Sequence, residues 1–148
     1  MKMEIRPMSK EDISVVCSLM HELTGHDISE EDMTDRLEMV NNSQIDELYI
    51  CEVDNSILGV LGFRIRENIE ENSRYGEISV IVTNLENRGL GIGRNMMAFA
   101  EKLAKEKGCI GTWLVSGFGR EEEAHKFYKK LGYVINGYRF IKPFVKVR

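Results

Sequence analysis

Long apolar runs are absent from this sequence, and no stretch approaches the roughly 18 residues that a membrane-spanning helix requires. The beginning, MKMEIRPMSKED, is charged and lacks the apolar core of a secretory signal. An excess of positive charge is also missing, since the formal net charge is -4 and acidic and basic residues are interleaved. We therefore expect a cytoplasmic protein with no membrane partner and no nucleic acid partner.

Clustered cysteines are lacking as well. Cys17, Cys51 and Cys109 lie far apart, so the chain has no C-x-x-C metal or redox motif. None of the three has a neighbouring base that would lower the pKa of its thiol. We expect buried structural thiols and no cysteine nucleophile.

A zinc-binding helix is excluded by spacing. The segment MHELTGH places His21 and His26 five residues apart with Gly25 between them, so the two imidazoles do not share one helical face. We predict no metal site.

The residues that are present suit one globular domain over positions 1–148, because 43% are hydrophobic and 30% are charged. The apolar pattern predicts the order β-α-α-β-β-β-α-β-α-β-β and an α/β fold, with helices flanking a mixed, mostly antiparallel sheet. The predicted strands are 3–6, 47–53, 57–66, 75–82, 111–117 and two strands around an Asn-Gly turn within 133–144. Val80, Ile81 and Val82 are continuously apolar, which predicts burial on both faces of their strand.

The segment ENRGLGIGRNMM then leads from a strand into a helix. Gly89, Gly91 and Gly93 allow the backbone to approach a ligand closely, and Arg88 and Arg94 add positive charge on either side. The start of the helix offers free N–H groups and the positive end of the helix dipole. This pattern indicates a site for a diphosphate-sized anion. The alternative is a glycine-rich turn that serves only helix packing.

Two nucleotide-binding motifs can be tested directly on this segment. A P-loop requires G-x-x-x-x-G-K-S/T, and no lysine followed by Ser or Thr occurs in the chain. A dinucleotide fingerprint requires G-x-G-x-x-G directly after a strand and an acidic residue at the end of the next strand. Here the glycines run G-x-G-x-G and the next predicted strand ends LVSG, so neither motif fits.

The sequence RGLGIG at 88–93 resembles the R/Q-x-x-G-x-G/A signature of the GNAT superfamily of N-acetyltransferases. The preceding GEISVIV resembles the central strand of that superfamily, and AHKFYKKLGY at 124–133 resembles its last helix, A-x-x-x-Y-x-x-x-G-F/Y. The order of elements agrees over nearly the whole chain. The resemblance implies that acetyl-CoA is the co-substrate and that its pyrophosphate is held by Arg88, Gly89, Leu90, Gly91, Ile92, Gly93 and Arg94.

The resemblance also implies a chemistry in which the amine attacks the bound thioester directly, without an acyl-enzyme. The backbone of Val80, Ile81 and Val82 would align the pantetheine arm and stabilise the oxyanion. Tyr128 would donate a proton to the departing sulfur, and Glu77 would accept the proton of the amine. The alternatives are a packed core aromatic for Tyr128 and an ordinary strand-end carboxylate for Glu77.

One position departs from the superfamily pattern. Many members have Asn three residues before the alanine of the last helix, in contact with the coenzyme, and this chain has Glu121 there. A carboxylate does not suit an anionic coenzyme, so that role is not carried over.

Within the superfamily the tail and the GEI before the central strand most resemble aminoalkylphosphonate and related small-amine N-acetyltransferases, which implies a small primary amine as acceptor, including anionic ones. Arg64, Arg66 and Arg74 could pair with such an anion, although we favour ordinary strand-edge charges for at least two of them. His21 and Glu22 could face the acceptor cleft, which the first two helices border in this superfamily.

Three hypotheses about function remain open at this point. The chain is a small-molecule amine N-acetyltransferase, a protein or peptide acetyltransferase of the same fold, or a coenzyme-binding sensor without turnover. The resemblance is compatible with a homodimer that uses the C-terminal strands as its exchange surface, although no residue pattern requires one.

Overall fold

The computed structural model describes residues 1–87, 89–116 and 121–146, except for the side chain of Glu121. It divides into two compact units, Met1–Leu114 and Val115–Arg148. In chain order the elements are β1 (Met3–Pro7), α1 (Ile13–Thr24), α2 (Glu30–Asn41), β2 (Asp46–Val53), β3 (Ser56–Glu67), β4 (Arg74–Thr83), α3 (Ile92–Glu106), β5 (Thr112–Trp113) and α4 (Lys126–Lys130). No helix in these ranges is long and apolar enough to cross a bilayer.

The five strands form one sheet in the order β1-β2-β3-β4-β5. The first four pair antiparallel, and β5 pairs parallel with β4. The predicted α/β fold with a mixed, mostly antiparallel sheet is therefore confirmed. The parallel ladder is short and consists of two pairs, Gly76 with Thr112 and Glu77 with Trp113.

Local sequence signals account for the ends of the first helices. The Ser29 hydroxyl accepts a hydrogen bond from the Asp32 backbone N–H at 3.0 Å, as the N-cap of α2. Gly25 ends α1 with a φ of +76°, as expected of a C-terminal glycine. The turn between β2 and β3 has positive φ at Asp54 and Asn55 (+49° and +70°), which matches the twist of a two-residue hairpin.

Helices cover both faces of the sheet. Val16 and Leu19 of α1 and Leu37 of α2 pack in one buried cluster with Val60 of the central strand β3. The opposite face is covered by α3, whose Met96, Met97 and Ala100 have no exposed surface. A cleft that opens on the face covered by α1 and α2 is therefore separated from α3 by the sheet.

The prediction of two closing strands within 133–144 is wrong, since no residue from 133 to 146 belongs to a strand. The exposed fractions of Tyr138 and Phe140 are 90% and 94%. An isolated two-stranded hairpin is marginally stable unless a third strand or a helix covers its apolar face. The strand predicted at 111–117 is likewise limited to Thr112–Trp113, and Gly117 lies outside the described residues.

Candidate active site

The glycine loop lies between β4 and α3. Gly89 and Gly91 have φ of +92° and +79°, in the left-handed region that glycine adopts readily. Gly91 is the N-cap of α3, and no described side chain caps this helix end. The side-chain amide of Asn95 donates to the Gly91 carbonyl at 2.7 Å, so it does not bond to the first N–H groups of the helix. The first N–H groups of α3 can therefore bind an anion at the positive end of the helix dipole.

The other predicted loop positions differ in how exposed their side chains are. Ile92 is buried and anchors the start of α3, so it can offer a ligand only its backbone. Leu90 is 41% exposed, and Arg94 is exposed in the first turn of the helix beside half-buried Gly93. Arg88 lies outside the described residues.

The segment before the loop is held by a chain of hydrogen bonds. The Asn84 backbone N–H donates to the Leu58 carbonyl at 2.8 Å, and the Asn84 side-chain oxygen accepts from the Glu86 N–H at 2.9 Å. The Leu85 N–H donates to a carboxylate oxygen of Glu22, on α1, at 3.2 Å. These contacts tie a short 3-10 turn over Leu85–Asn87 to β3 and to α1 before the chain reaches the glycines.

β4 carries one more residue than β3 at the middle of their ladder. The register shifts between Gly62 and Phe63, and Ser79 is the additional residue, a β-bulge. Strict alternation would place Glu77 and Val80 on opposite faces of the sheet. The bulge instead brings both side chains to the face that α1 and α2 cover.

The second half of β4 is open along one edge. Its ladder with β5 stops at Glu77, and among the described residues no strand pairs with that edge from Ile78 onwards. Val82 is buried, but Val80 and Ile81 are only half-buried, so the prediction that all three are buried on both faces is wrong. On that edge the backbone N–H and C=O groups from Ile78 to Val82 have no ladder partner within the described residues.

Glu77 lies next to this open region, at the last pair of the ladder with β5. It pairs in register with Arg64 on β3 and with Trp113 on β5. Its side chain is 20% exposed, with one oxygen, Oε1, 3.5 Å from Nε of Arg66. That oxygen is inaccessible to solvent and accepts no hydrogen bond within the described residues. This oxygen faces Arg66 and has no accessible surface, so a ligand could reach Glu77 only through the exposed part of its side chain.

The three arginines proposed for anion binding all make ion pairs within the sheet. Arg64 binds Asp46 at 2.7 Å, and Arg74 binds Glu67 at 2.6 Å. The hydrogen bond to Asp46 raises the pKa of the Arg64 guanidinium. Arg66 contacts Glu77 and lies 5.5 Å above the ring of Trp113. These contacts agree with the structural role that we favoured for at least two of them.

A cavity of about 460 Å³ opens on the α1 and α2 side of the sheet. Its floor is formed by Gly62 and Arg64 of β3 and by Ser79 and Val80 of β4. Its walls are mostly apolar and come from the two helices, the segment between them and β2: Met20, Thr24, His26, Asp27, Ile28, Met33, Arg36, Met39, Val40, Asp46, Glu47 and Leu48. The cavity therefore meets β4 at the bulge.

The histidines near this cavity do not form a metal site. Nδ1 of His21 lies 2.8 Å from a carboxylate oxygen of Asp27. In the part of the chain that the structure describes, no three His, Cys, Asp or Glu side chains are grouped to hold a metal ion. His26 lines the cavity, whereas Glu22 binds Leu85 rather than facing the cleft.

The surroundings of the three cysteines do not favour a reactive thiol. Cys51 is buried, and Cys17 and Cys109 are half-buried rather than buried as predicted. Burial raises the pKa of all three thiols, which disfavours the reactive thiolate.

Tyr128 lies in the second compact unit, on α4. A π-helical turn, Glu121–His125, precedes it, and the Glu121 side chain is outside the described part. Tyr128 is half-buried, and its ring packs edge-on against Phe127 and Tyr133 at centroid distances of 5.2 and 6.1 Å. An aromatic cluster therefore fixes the orientation of this side chain.

Sequence reasoning missed Asn84, Asn95 and Arg36. Asn84 could have been found from the sequence, because an asparagine side chain commonly accepts a hydrogen bond from the backbone N–H two residues later, in an Asx-turn. The other two had none, because their roles depend on where the neighbouring helix or loop lies.

Comparison with known proteins agrees with this geometry. Residues 15–133 match the Acetyltransferase (GNAT) family. The chain is 27% identical over 140 residues to the aminoalkylphosphonate N-acetyltransferase of Salmonella typhimurium, covering 94% of this chain and 90% of that one. It is 31% identical over 137 residues to the uncharacterized N-acetyltransferase YhdJ of Bacillus subtilis, covering 91% and 94% of the two chains.

A solved structure agrees as well. The crystal structure of a GNAT family acetyltransferase from Staphylococcus aureus superposes with a TM-score of 0.81 at 27% identity, and covers 97% of this chain and 100% of that one. The family match over 15–133 covers most of the first unit and the first part of the second, and its range includes the glycine loop and the tyrosine helix. The chain therefore belongs to the GNAT family and is an N-acetyltransferase that uses acetyl-CoA as its co-substrate.

Proposed function

We propose that the chain acts as a single domain over 1–148 and moves an acetyl group from acetyl-CoA to a primary amine of a small molecule. The arrangement of β4 carries this proposal. One strand presents Glu77 and Val80 on the same face, borders the cavity at its bulge, and leads into the glycine loop. Donor and acceptor sites would thus meet at one strand.

The coenzyme would lie along the second half of β4 and across the start of α3. The loop from Arg88 to Arg94 would bind the pyrophosphate through backbone N–H groups, with both arginines adding charge. The pantetheine arm would pair with the open backbone of Val80, Ile81 and Val82. The half-burial of Val80 and Ile81 and the absence of a described strand beside them support this placement.

The chemistry needs a neutral amine, a stabilised oxyanion and a protonated leaving group. Glu77 would take the ammonium proton, directly or through a water, and the amine nitrogen would form a bond to the acetyl carbon. The oxyanion would be stabilised by backbone N–H groups of β4. The C–S bond then breaks, and Tyr128 would donate its hydroxyl proton to the thiolate of CoA. The second proton lost by the amine nitrogen would restore the Tyr128 hydroxyl, directly or through a water.

The cavity favours a small molecule over a peptide. A volume of about 460 Å³ lies in the range of roughly 300–1,000 Å³ that is typical of small-ligand pockets. Its walls come from two helices and three strands, which suits a compact acceptor better than an extended chain.

Release of free CoA thiol tests this proposal over a panel of amines and a lysine-containing peptide. We expect turnover with small amines and little with the peptide. A thermal shift with acetyl-CoA and CoA, but not with NAD, should accompany it, because a ligand that binds the folded state stabilises it by mass action. Acetyl-CoA binding without transfer to any amine would support the sensor, and preferential acetylation of the peptide would support the protein acetyltransferase.

We also propose that a second copy of the chain covers the C-terminal segment 133–146. Its apolar side chains are highly exposed and have no strand partner in the described structure: Val134, Ile135, Tyr138, Phe140, Ile141, Phe144 and Val145. Exposed apolar surface of this extent marks an association site. Light scattering should give the mass of a dimer, and Phe140→Ser with Phe144→Ser should give a monomer. A monomeric wild-type chain would contradict the proposal.

A further inference from the structure

The wall of the cavity formed by α2 combines apolar and cationic side chains on one helical face. Met33, Arg36 and Val40 follow one another at spacings of three and four residues, so they lie above one another on that face. Met20 and Met39 extend the apolar surface on either side of it. Methionine side chains are flexible and polarisable, so they adapt to alkyl groups of different shape.

Most charges of the cavity lining are already engaged, which leaves Arg36 as the exception. Asp46 pairs with Arg64 at 2.7 Å and Glu47 with Lys107 at 3.0 Å, and Nδ1 of His21 lies 2.8 Å from a carboxylate oxygen of Asp27.

Arg36 differs from these groups in its partner. It is exposed, it lines the cavity, and it forms no salt bridge with a described carboxylate. Arg64, by contrast, has two of its nitrogens bound to Asp46, at 2.7 and 3.2 Å. The planar donors of Arg36 are therefore the ones that can receive a carboxylate or phosphonate in a two-point contact.

The two ends of the cavity differ in the charge that they favour. The floor reaches Val80, and next to it Arg64 pairs in register with Glu77, the carboxylate that would receive the amine proton. The helical wall offers a guanidinium, and most of the remaining lining is apolar. An acceptor that matches this arrangement has an amine at one end, an acidic group at the other and an alkyl chain between them.

We infer that the acceptor is an amine bearing a carboxylate or phosphonate group, that Arg36 binds this group, and that Arg36 determines acceptor specificity. The inference rests on the proposed function and names its substrate class. The salt bridge of Arg64 leaves that residue to shape the floor rather than to bind the anion. Arg36 acts on binding, not on the acetyl-transfer step itself.

Matched acceptors test this inference. Rates of CoA release are compared for an ω-amino acid, an aminoalkylphosphonate and an uncharged amine of the same chain length, at saturating acetyl-CoA. We expect the wild-type enzyme to prefer both anionic amines. Arg36→Gln should raise their KM about 10- to 100-fold, the value of a charged hydrogen-bonded contact, and leave the uncharged amine unchanged. Arg36→Lys should recover part of the loss, and the ratio of the two anionic amines distinguishes carboxylate from phosphonate.

Lys105→Gln is the matched control, because it removes one exposed helical cation from α3, outside the cavity lining. It should change none of the three KM values. If Arg36→Gln alters all acceptors equally, or alters none, the inference is overturned while the proposed function stands. If no amine is acetylated, the proposed function fails, and calorimetric binding of the two anionic amines to wild type and Arg36→Gln still decides the role of Arg36: equal affinities would overturn it.

Discussion

A carboxylate oxygen of Glu22 on α1 accepts a hydrogen bond from the backbone N–H of Leu85 at 3.2 Å, across 63 positions of the sequence. α1 also supplies Met20 and Thr24 to the wall of the cavity. One helix therefore contacts both the proposed acceptor site and the turn that precedes the coenzyme loop. The contact is exposed, so its contribution to global stability is small.

Glu22→Ala should weaken acetyl-CoA binding several-fold, by about 0.5–1.5 kcal/mol, because the turn before the glycines loses one of its fixed points. Glu22→Gln retains an acceptor oxygen and should bind acetyl-CoA nearly as wild type does. Calorimetric titration of the three proteins measures the difference. Equal affinity in wild type and the alanine variant would show that the turn is held without Glu22.

Gly91→Val should abolish detectable acetyl-CoA stabilisation in a thermal-shift experiment. Gly91 has a φ of +79° at the N-cap of α3, where a β-branched residue is strained by roughly 1–2 kcal/mol and would rotate the N–H groups away from the anion. Gly108→Val is the control at the opposite end of the same helix, with a φ of +76° and no atom within 4 Å of its added Cβ. It should lower the melting temperature and preserve coenzyme binding. Retained binding in Gly91→Val would contradict the loop assignment.

Glu77→Gln should lower kcat by about 10²- to 10⁴-fold, the usual contribution of a general base, without a comparable change in acetyl-CoA affinity. Glu67→Gln removes a carboxylate that pairs with Arg74 on the same two strands, outside the cavity lining, and should leave kcat unchanged. Steady-state rates with one acceptor measure both variants. A kcat within a factor of about two of wild type in Glu77→Gln would assign proton removal to another group or to water.

Tyr128→Phe should lower turnover with little effect on acetyl-CoA binding, because the ring and its contacts with Phe127 and Tyr133 remain while the hydroxyl is lost. Tyr133→Phe removes a hydroxyl from the same aromatic cluster and serves as the comparison. Rates are measured together with acetyl-CoA affinity. Parallel losses of rate and affinity in Tyr128→Phe would identify a structural residue instead of a proton donor.

The stability of the first unit should fall in acid through Asp12. This carboxylate is 3% exposed, and Arg6 donates to both of its oxygens at 2.8 and 2.9 Å. The bonds from Arg6 lower the pKa of Asp12 below its usual 3.8. A lowered folded pKa means that the stabilisation is complete above the unfolded pKa and is lost as pH falls through the folded one.

Asp12→Asn should therefore cost about 1.5–3 kcal/mol near neutral pH and show a smaller loss of stability than wild type below about pH 4. Urea unfolding at several pH values measures both effects. Glu52 also binds Arg6, at 2.6 Å, so Glu52→Gln provides a second variant of the same cluster. Parallel pH profiles for wild type and Asp12→Asn would exclude Asp12 as the acid-sensitive group.

Features set by neighbouring residues were predictable from the sequence. The cap at Ser29, the stop at Gly25 and the turn at Asp54 and Asn55 depend on hydrogen bonds or φ values within a few residues. The order of strands and helices as far as α4 followed from apolar periodicity. The motifs indicated the family, and the family match over residues 15–133 confirms it. The loop residues, Glu77 and Tyr128 remain predictions in their functional roles.

Features set by distant partners were not predictable. The half-burial of Val80 and Ile81 depends on where the ladder with β5 ends, and an apolar run does not encode that. The apolar segment after Tyr133 has strand composition, yet strands form only where another strand or face is available. The sequence does not distinguish Arg36 from other exposed helical charges. Its place in the cavity lining, and the ion pairs of the other charged lining residues, depend on the fold.

The extra residue at Ser79 fixes the parity of β4. With the bulge, three steps along the chain return to the same side of the sheet, so the side chains of Glu77, the proposed proton acceptor, and Val80, in the proposed coenzyme-binding strand, share one face. Gly62 leaves room for this residue, because a Cβ there would lie 2.6 Å from the Ser79 hydroxyl. A change of one in the number of residues between Glu77 and Val80 would place their side chains on opposite faces of the sheet, and with them the proposed proton acceptor and the strand residue beside the cavity.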